Sequence, residues 1–422
     1  MFLAGQAIEA FEVLLPLALI LCLSKFLSIE SRHFGLPQVL GMLLTGVLLG
    51  LITFIPNQNI FNETSMAGIA FIAEIGVILI MFSAGLETNL KQIKETGFAA
   101  SIITVLGVLV PMGLGFLVSG VLPGGWGKEY IIRNLFYGTI LTATSVSVTV
   151  ATLKELGKLN SSIGTAIVSA AILDDILGVI ILSIIISLNG AITSGVGNVG
   201  AEIGMVFLKT FLFFVFAIGL GLLLRFLFAK LSKRYGHHRR SPIFGIAMAF
   251  FFSYAAESWF GIADITGAFF AGLMLSGGKD TEYIERRTDI ASYMIFTPVF
   301  FAKVGITSLE SFTSIDTTFI LFGCLFIIAG IIGKLVGCGV GAKLCKYDMK
   351  DSYRCGLGMM CRAEVCLICA SKGIEAGIIS ASIQPFILVL ILVTSFVTPI
   401  LLKKSYKNEL DLNIETNQDL VA

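Results

Sequence analysis

Charge is scarce in this chain. Acidic and basic residues together make up 14% of its 422 residues, against about 25% in an ordinary soluble domain. That excludes a soluble enzyme, a disordered chain and a small disulfide-dense module. Histidine is scarcer still, with three residues, none deep in an apolar run where a haem would need one. The eight cysteines have no zinc-ligand spacing. Most lie in apolar stretches (Cys324, Cys338, Cys355, Cys361, Cys366, Cys369) and read as free thiols filling space, not as iron–sulfur ligands. A net charge of +1 gives no reason to expect nucleic acid. No G-x-x-x-x-G-K-[ST] loop is present for an ATP-driven pump, and no H-E-x-x-H or G-x-S-x-G for a membrane hydrolase. The reading is therefore of a chain that is not an enzyme and needs no cofactor.

What the chain has in abundance is apolar surface: 56% hydrophobic residues and a mean hydropathy of +0.93. Runs of about 20 apolar residues, the length that crosses a bilayer core, recur from end to end. The fold class expected is an all-α polytopic membrane protein. Thirteen spans can be marked, near 7–26, 36–54, 67–86, 97–119, 131–153, 162–188, 203–230, 241–258, 261–277, 290–307, 317–344, 351–373 and 383–402. Glu9 and Glu12 stand where a signal peptide would be basic, so the first span reads as retained. The tail after Lys403 is polar and too short to fold alone.

Orientation follows from the basic residues. With the N-terminus outside, 22 of the 29 Lys and Arg residues fall in inner loops or their flanks and four outside: Lys128, Arg133, Lys209 and Lys372. Lys303, Lys334 and Arg362 lie within spans. This is a strong positive-inside bias with a cytoplasmic C-terminus. The fifth and twelfth spans, "GTILTATSVSVT" and "GLGMMCRAEVCLICA", are polar or Gly-rich in mid-membrane. They stand seven helices apart, and an odd offset places them in opposite directions. Paired interrupted helices in inverted repeats are the layout of secondary transporters.

The intramembrane polar residues carry the functional information, since each costs at least a few kcal/mol unless compensated. Asp174 and Asp175 lie in mid-helix in "SAAILDDILGVIILSIIISL". Adjacent residues on a helix point about 100° apart, so one can face an aqueous cavity while the other meets a fixed cation. Two close carboxylates in low dielectric titrate as a coupled pair. Such a pair binds protons or a hard monovalent cation in competition. Lys334, deep in "IIAGIIGKLVGCGVGAKL", is the natural counter-charge. Thr142, Thr144, Ser145, Ser147 and Thr149 crowd the fifth span and suit a broken helix offering oxygens to an ion. Arg362 and Glu364 stand two residues apart in the other candidate break and read as stabilisers of the crossing. Glu74 and Lys303 read as paired charges or cavity neighbours, and His33, His237 and His238 as solvated loop residues.

"GLPQVLGMLLTGVLLG", "IAEIGVILIMFSAGLETNL", "TATSVSVTVATLKELGKLNSSIG", "ILDDILGVI", "PVFFAKVGI" and "CRAEVCLI" occur in this order along nearly the whole chain. Together they resemble the monovalent cation:proton antiporter-2 family. The resemblance implies a homodimer of thirteen-helix protomers with two crossed broken helices. It implies a scaffold at 1–96 and 241–310, a transport core at 97–190 and 311–404, a connecting helix at 191–240 and a short cytoplasmic tail at 405–422. It further implies Asp175 as the ion-binding acid and Asp174 as the acid paired with Lys334. Thr144 and Ser145 would lie at the unwound crossing, with Arg362 and Glu364 as its charged partners. The expectation is exchange of sodium (or lithium), held at Asp175 and Asp174, for protons across the plasma membrane by alternating access, with the electrogenic character that the resemblance attaches to an Asp–Asp pair. A potassium/proton antiporter and a cation channel on the same fold are the alternatives. An organic-anion transporter is disfavoured because two carboxylates repel an anion. Nucleotide-dependent gating is not expected, for want of a C-terminal nucleotide-binding domain.

Overall fold

The computed structural model describes residues 10–33, 38–88, 90–193, 199–235, 240–278, 280–312 and 317–419. His237 and His238 lie outside them, as does Glu9. The described chain is helical throughout. Its first half runs α1 (Ala10–His33), α2 (Gln38–Gly50, prolonged by a 3-10 turn to Phe54), α3 (Glu63–Glu87), α4 (Leu90–Ser119), α5 (Lys128–Ile140), α6 (Val146–Glu155), α7 (Ser162–Thr193) and α8 (Val199–Tyr235). The second half runs α9 (Arg240–Phe260), α10 (Asp264–Leu275), α11 (Thr281–Ala291), α12 (Thr297–Phe312), α13 (Thr317–Leu344), α14 (Met349–Gly358), α15 (Glu364–Glu375) and α16 (Gln384–Asp419).

Among the described residues, nine helices are long and apolar enough to cross a membrane, fewer than the thirteen spans expected. Two further apolar helices, 38–54 and Asp264–Leu275, are shorter. The expected fifth and twelfth spans are each divided into two pieces, α5–α6 and α14–α15. Other boundaries also move. The expected tenth span begins earlier, at Thr281, because a π turn over Ser292–Phe296 joins the polar α11 to the apolar α12 without a break. The tail does not stop at 402: α16 continues to Asp419. Extending an existing helix avoids the nucleation cost that a short free segment would face.

The chain divides into two compact units. Unit 1 comprises 1–90, 179–315 and 371–385. Within it α2 packs on α1 and α12, and α10 on α3 and α9. Glycines permit the closest approaches: Gly85 of α3 faces Phe269 and Gly272 of α10, and Gly46 of α2 faces Ala302 of α12. Phe207, Phe211, Leu222 and Phe226 on α8 are exposed, as befits a helix whose outer side is solvated by lipid.

Unit 2 comprises 91–178, 316–370 and 386–422. Its core gathers Ala100, Ile103, Ile167, Ala170, Cys338, Leu357 and Met359. One face of α13 is nearly bare: a Cβ at Gly333 would lie 2.7 Å from Pro111 Cα, and one at Gly337 2.5 Å from the Leu106 carbonyl oxygen. Small residues of this kind let membrane helices approach backbone to backbone. Here they bring α13, which carries Lys334, tight against α4.

Candidate ion site

The seven residues that the resemblance places at the site, Asp174, Asp175, Thr144, Ser145, Lys334, Arg362 and Glu364, fall in unit 2, whereas Glu74 and Lys303 fall in unit 1. Asp174 and Asp175 sit on the unbroken helix α7, whose apolar run of alanine, leucine and isoleucine gives no local reason to unwind. Asp174 is buried and Asp175 half-buried. Lys334 Nζ donates to Asp174 Oδ1 at 2.7 Å, and the two side chains are 0% and 1% exposed. The second oxygen, Asp174 Oδ2, is buried without a hydrogen-bond partner among the described residues. It keeps lone pairs for a further ligand. Gly107 of α4 admits this arrangement, because a Cβ there would lie 3.8 Å from Lys334 Nζ and collide with Cys338 Sγ.

The two interruptions lie at 141–145 and 359–363, and they meet. Ser145 N–H donates to the Cys361 carbonyl at 2.8 Å. Thr144 Oγ1 donates to the Met359 carbonyl at 3.5 Å and Thr149 Oγ1 to that of Gly358 at 2.6 Å. Backbone groups that an unbroken helix would satisfy internally thus find partners across the break, the condition for irregular backbone at membrane depth. The side chain of Ser147 lies outside the described residues.

Arg362 lies inside the second interruption and is fully buried. Its Nη2 donates to the carbonyls of Leu141 at 2.7 Å and Gly330 at 3.0 Å. Leu141 caps the C-terminal end of α5, where carbonyl oxygens concentrate negative potential and a cation is favoured. Glu364 opens α15, where exposed N–H groups favour an anion. The two charges therefore serve opposite helix ends. This resolves their two-residue spacing: the backbone is irregular at 359–363, and their surroundings differ.

The sequence reading missed Lys372, which it placed at an outer loop flank. The structure places it, 11% exposed, in unit 1 among three acids. Its Nζ lies 3.0 and 3.1 Å from the two Asp264 oxygens, 3.3 Å from Glu74 Oε1 and 3.4 Å from Glu375 Oε2. Lys303 Nζ stands 3.6 Å from Glu375 Oε1. Glu74 and Lys303 are thus paired charges of one network. The carboxylates of Glu87, Glu285 and Asp289 form a separate trio, all within 4.8 Å of one another, with Ser83 Oγ donating to Asp289 at 2.8 Å.

A polytopic helical protein with an ion pair at 0–1% exposure beside two meeting helix breaks has the architecture of a secondary transporter. The comparisons with known proteins place it further. The family model described as "Sodium/hydrogen exchanger, transmembrane" matches residues 18–404, and the chain belongs to this family of monovalent cation:proton antiporters, which are transporters and not enzymes. It is 32% identical over 403 residues to the Na(+)/H(+)-K(+) antiporter GerN of Bacillus cereus, covering 94% of this chain and 97% of that one. It is 32% identical over 393 residues to a Na(+)/H(+) antiporter of Enterococcus hirae, covering 92% and 96%. The structure of the sodium proton antiporter MjNhaP1 from Methanocaldococcus jannaschii shares its fold, with a TM-score of 0.70 at 19% identity over 94% of this chain and 97% of that one.

Proposed function

We propose that the chain exchanges sodium (or lithium) for protons by alternating access, with Asp175 and Asp174 as the shared site. The observation that carries this reading is the buried Lys334–Asp174 pair next to the half-buried Asp175. A cation arriving at Asp175 competes for the same oxygens as protons and the Lys334 ammonium. Hard carboxylate oxygens, with Thr144 and Ser145 at the neighbouring break, suit a monovalent alkali cation. After the site turns to the other side of the membrane, protons displace the cation. If two protons exchange for one sodium, one net charge moves per cycle. The membrane potential then contributes about 2.3 kcal/mol per 100 mV, enough to expel sodium against a roughly fifty-fold gradient.

Thirteen crossings fit this reading, made of the nine long helices, the two shorter apolar ones and the two interrupted pairs. The grouping of 91–178 with 316–370 and 386–422 supports a transport core near 97–190 and 311–404 with crossed broken helices, and the remainder supports a scaffold at 1–96 and 241–310; the homodimer of this reading comes from the family resemblance. The excess of inner basic residues supports a plasma-membrane protein with its N-terminus outside. Potassium is the second reading for the cation, favoured by the name of the Bacillus cereus relative, which includes it.

Purified protein in sealed vesicles tests the site. Asp175→Asn keeps the shape and removes the charge. Cation-dependent proton flux falls to background while the protein stays folded. Flux near the parent rate would remove Asp175 from the site.

A further inference from the structure

Glycines of unit 2 divide into two kinds. Those at Gly333, Gly337 and Gly356 are required by packing, since a Cβ would press on the backbone of Pro111, Leu106 and Leu335. Gly178 is different. It is buried in the middle of α7, yet a Cβ there would meet, beyond its own helix's backbone, one atom only: Thr142 Oγ1, at 4.0 Å. Glycine is less favourable than alanine inside a helix, so neither packing nor local propensity accounts for it.

Its place gives the reason. Gly178 follows Asp175 by three residues and Asp174 by four, so it shares their side of α7, about 4.5 Å beyond Asp175 and about 6 Å beyond Asp174 along the axis. Thr142 lies in the first interruption, where its hydroxyl donates to the Thr139 carbonyl at 2.8 Å. The oxygen keeps lone pairs for a second partner. The missing side chain therefore keeps open a small space between the acid-bearing side of α7 and an oxygen of the broken segment.

We infer that Gly178 is a specificity-determining position: the room between it and Thr142 sets how large a cation, or how much of its hydration, the site admits. The inference rests on the exchange reading given above. Alkali cations carry the same charge and differ in size and hydration, so the width of the site is the property that separates them. A methyl group at 178 would occupy part of that width without touching either carboxylate.

The test compares the parent protein with Gly178→Ala, Gly178→Ser and Gly178→Val in sealed vesicles. Proton movement is driven by lithium, sodium, potassium or rubidium, and melting temperature is measured alongside. Gly178→Ala melts at or above the parent temperature, because the space accepts the methyl. Its apparent affinity for the largest cation the parent uses falls about tenfold relative to the smallest, the scale on which one methyl group discriminates in a shaped pocket. Val steepens the order further. An alanine variant whose cation series stays within twofold of the parent, or which melts several degrees lower, overturns the inference while leaving the exchange reading standing. A parent protein inert to all four cations overturns the exchange reading and the inference with it.

Discussion

Lys334 and Asp174 show what one buried charge demands of its neighbour. Removing one member of a fully desolvated pair costs about 3–5 kcal/mol when the other stays charged. Lys334→Gln should therefore lower the melting temperature in detergent, and adding Asp174→Asn should restore part of the loss, since no charge is then orphaned. Purely additive losses in this double-mutant cycle would show that the two residues do not depend on each other. Lys372 makes a graded case, because Asp264 is nearly buried while Glu74 and Glu375 are 44% and 40% exposed. Lys372→Gln should cost more than the ~1 kcal/mol of an exposed pair and less than the buried value, with Asp264→Asn recovering part; a melting temperature unchanged in Lys372→Gln would make the network decorative. The first pair could be picked out of the sequence because both charges stand many residues from any polar segment. The second could not. Lys372 lies where an apolar run gives way to a loop, and of its three acids only Glu375 is local, while Glu74 and Asp264 come from helices far away in sequence.

At the scale of the element, the two interruptions were legible as polar or glycine-rich stretches inside apolar runs; that they cross came from the family resemblance, and which groups pair there was not legible. It depends on which carbonyls are left unsatisfied, such as those of Gly358, Met359 and Cys361, and composition does not report that. Arg362 acts here through geometry as well as charge, as one nitrogen reaches two carbonyls. Lysine keeps the charge and loses the planar fork. Since hydrogen bonds from a charged donor contribute about 1.5–3 kcal/mol each, Arg362→Lys should lose at least ~2 kcal/mol in an unfolding titration; parent-like stability would show that charge alone suffices. Thr149→Val removes the 2.6 Å bond to Gly358 and should cost about 1 kcal/mol or somewhat more, because the carbonyl is left buried. Element ends were the least legible feature. The polar TEYIERRTDIA reads as a loop from its hydropathy, yet it is the first stretch of a helix. Hydropathy reports the surroundings of side chains, whereas a helix persists as long as its backbone bonds are made.

For the molecule as a whole, charge asymmetry predicts orientation. A fluorescent reporter fused after Ala422 should be visible from the cytoplasmic side and protected from an external quencher; quenching from outside would reverse the assignment. The contacts between the two breaks carry a different consequence, for synthesis. Arg362 and the Leu141 carbonyl that it caps are 221 residues apart, and Thr149 and Gly358 are 209 apart. The first broken segment thus leaves the ribosome long before the groups that complete it exist. An unsatisfied backbone at that depth is costly in lipid, so the segment must be sheltered by the insertion machinery, by water or by a temporary partner until the last quarter of the chain arrives. Membrane insertion of this protein cannot be strictly sequential, and a chain stopped before Met349 should hold residues 141–145 in a setting that the finished protein never uses.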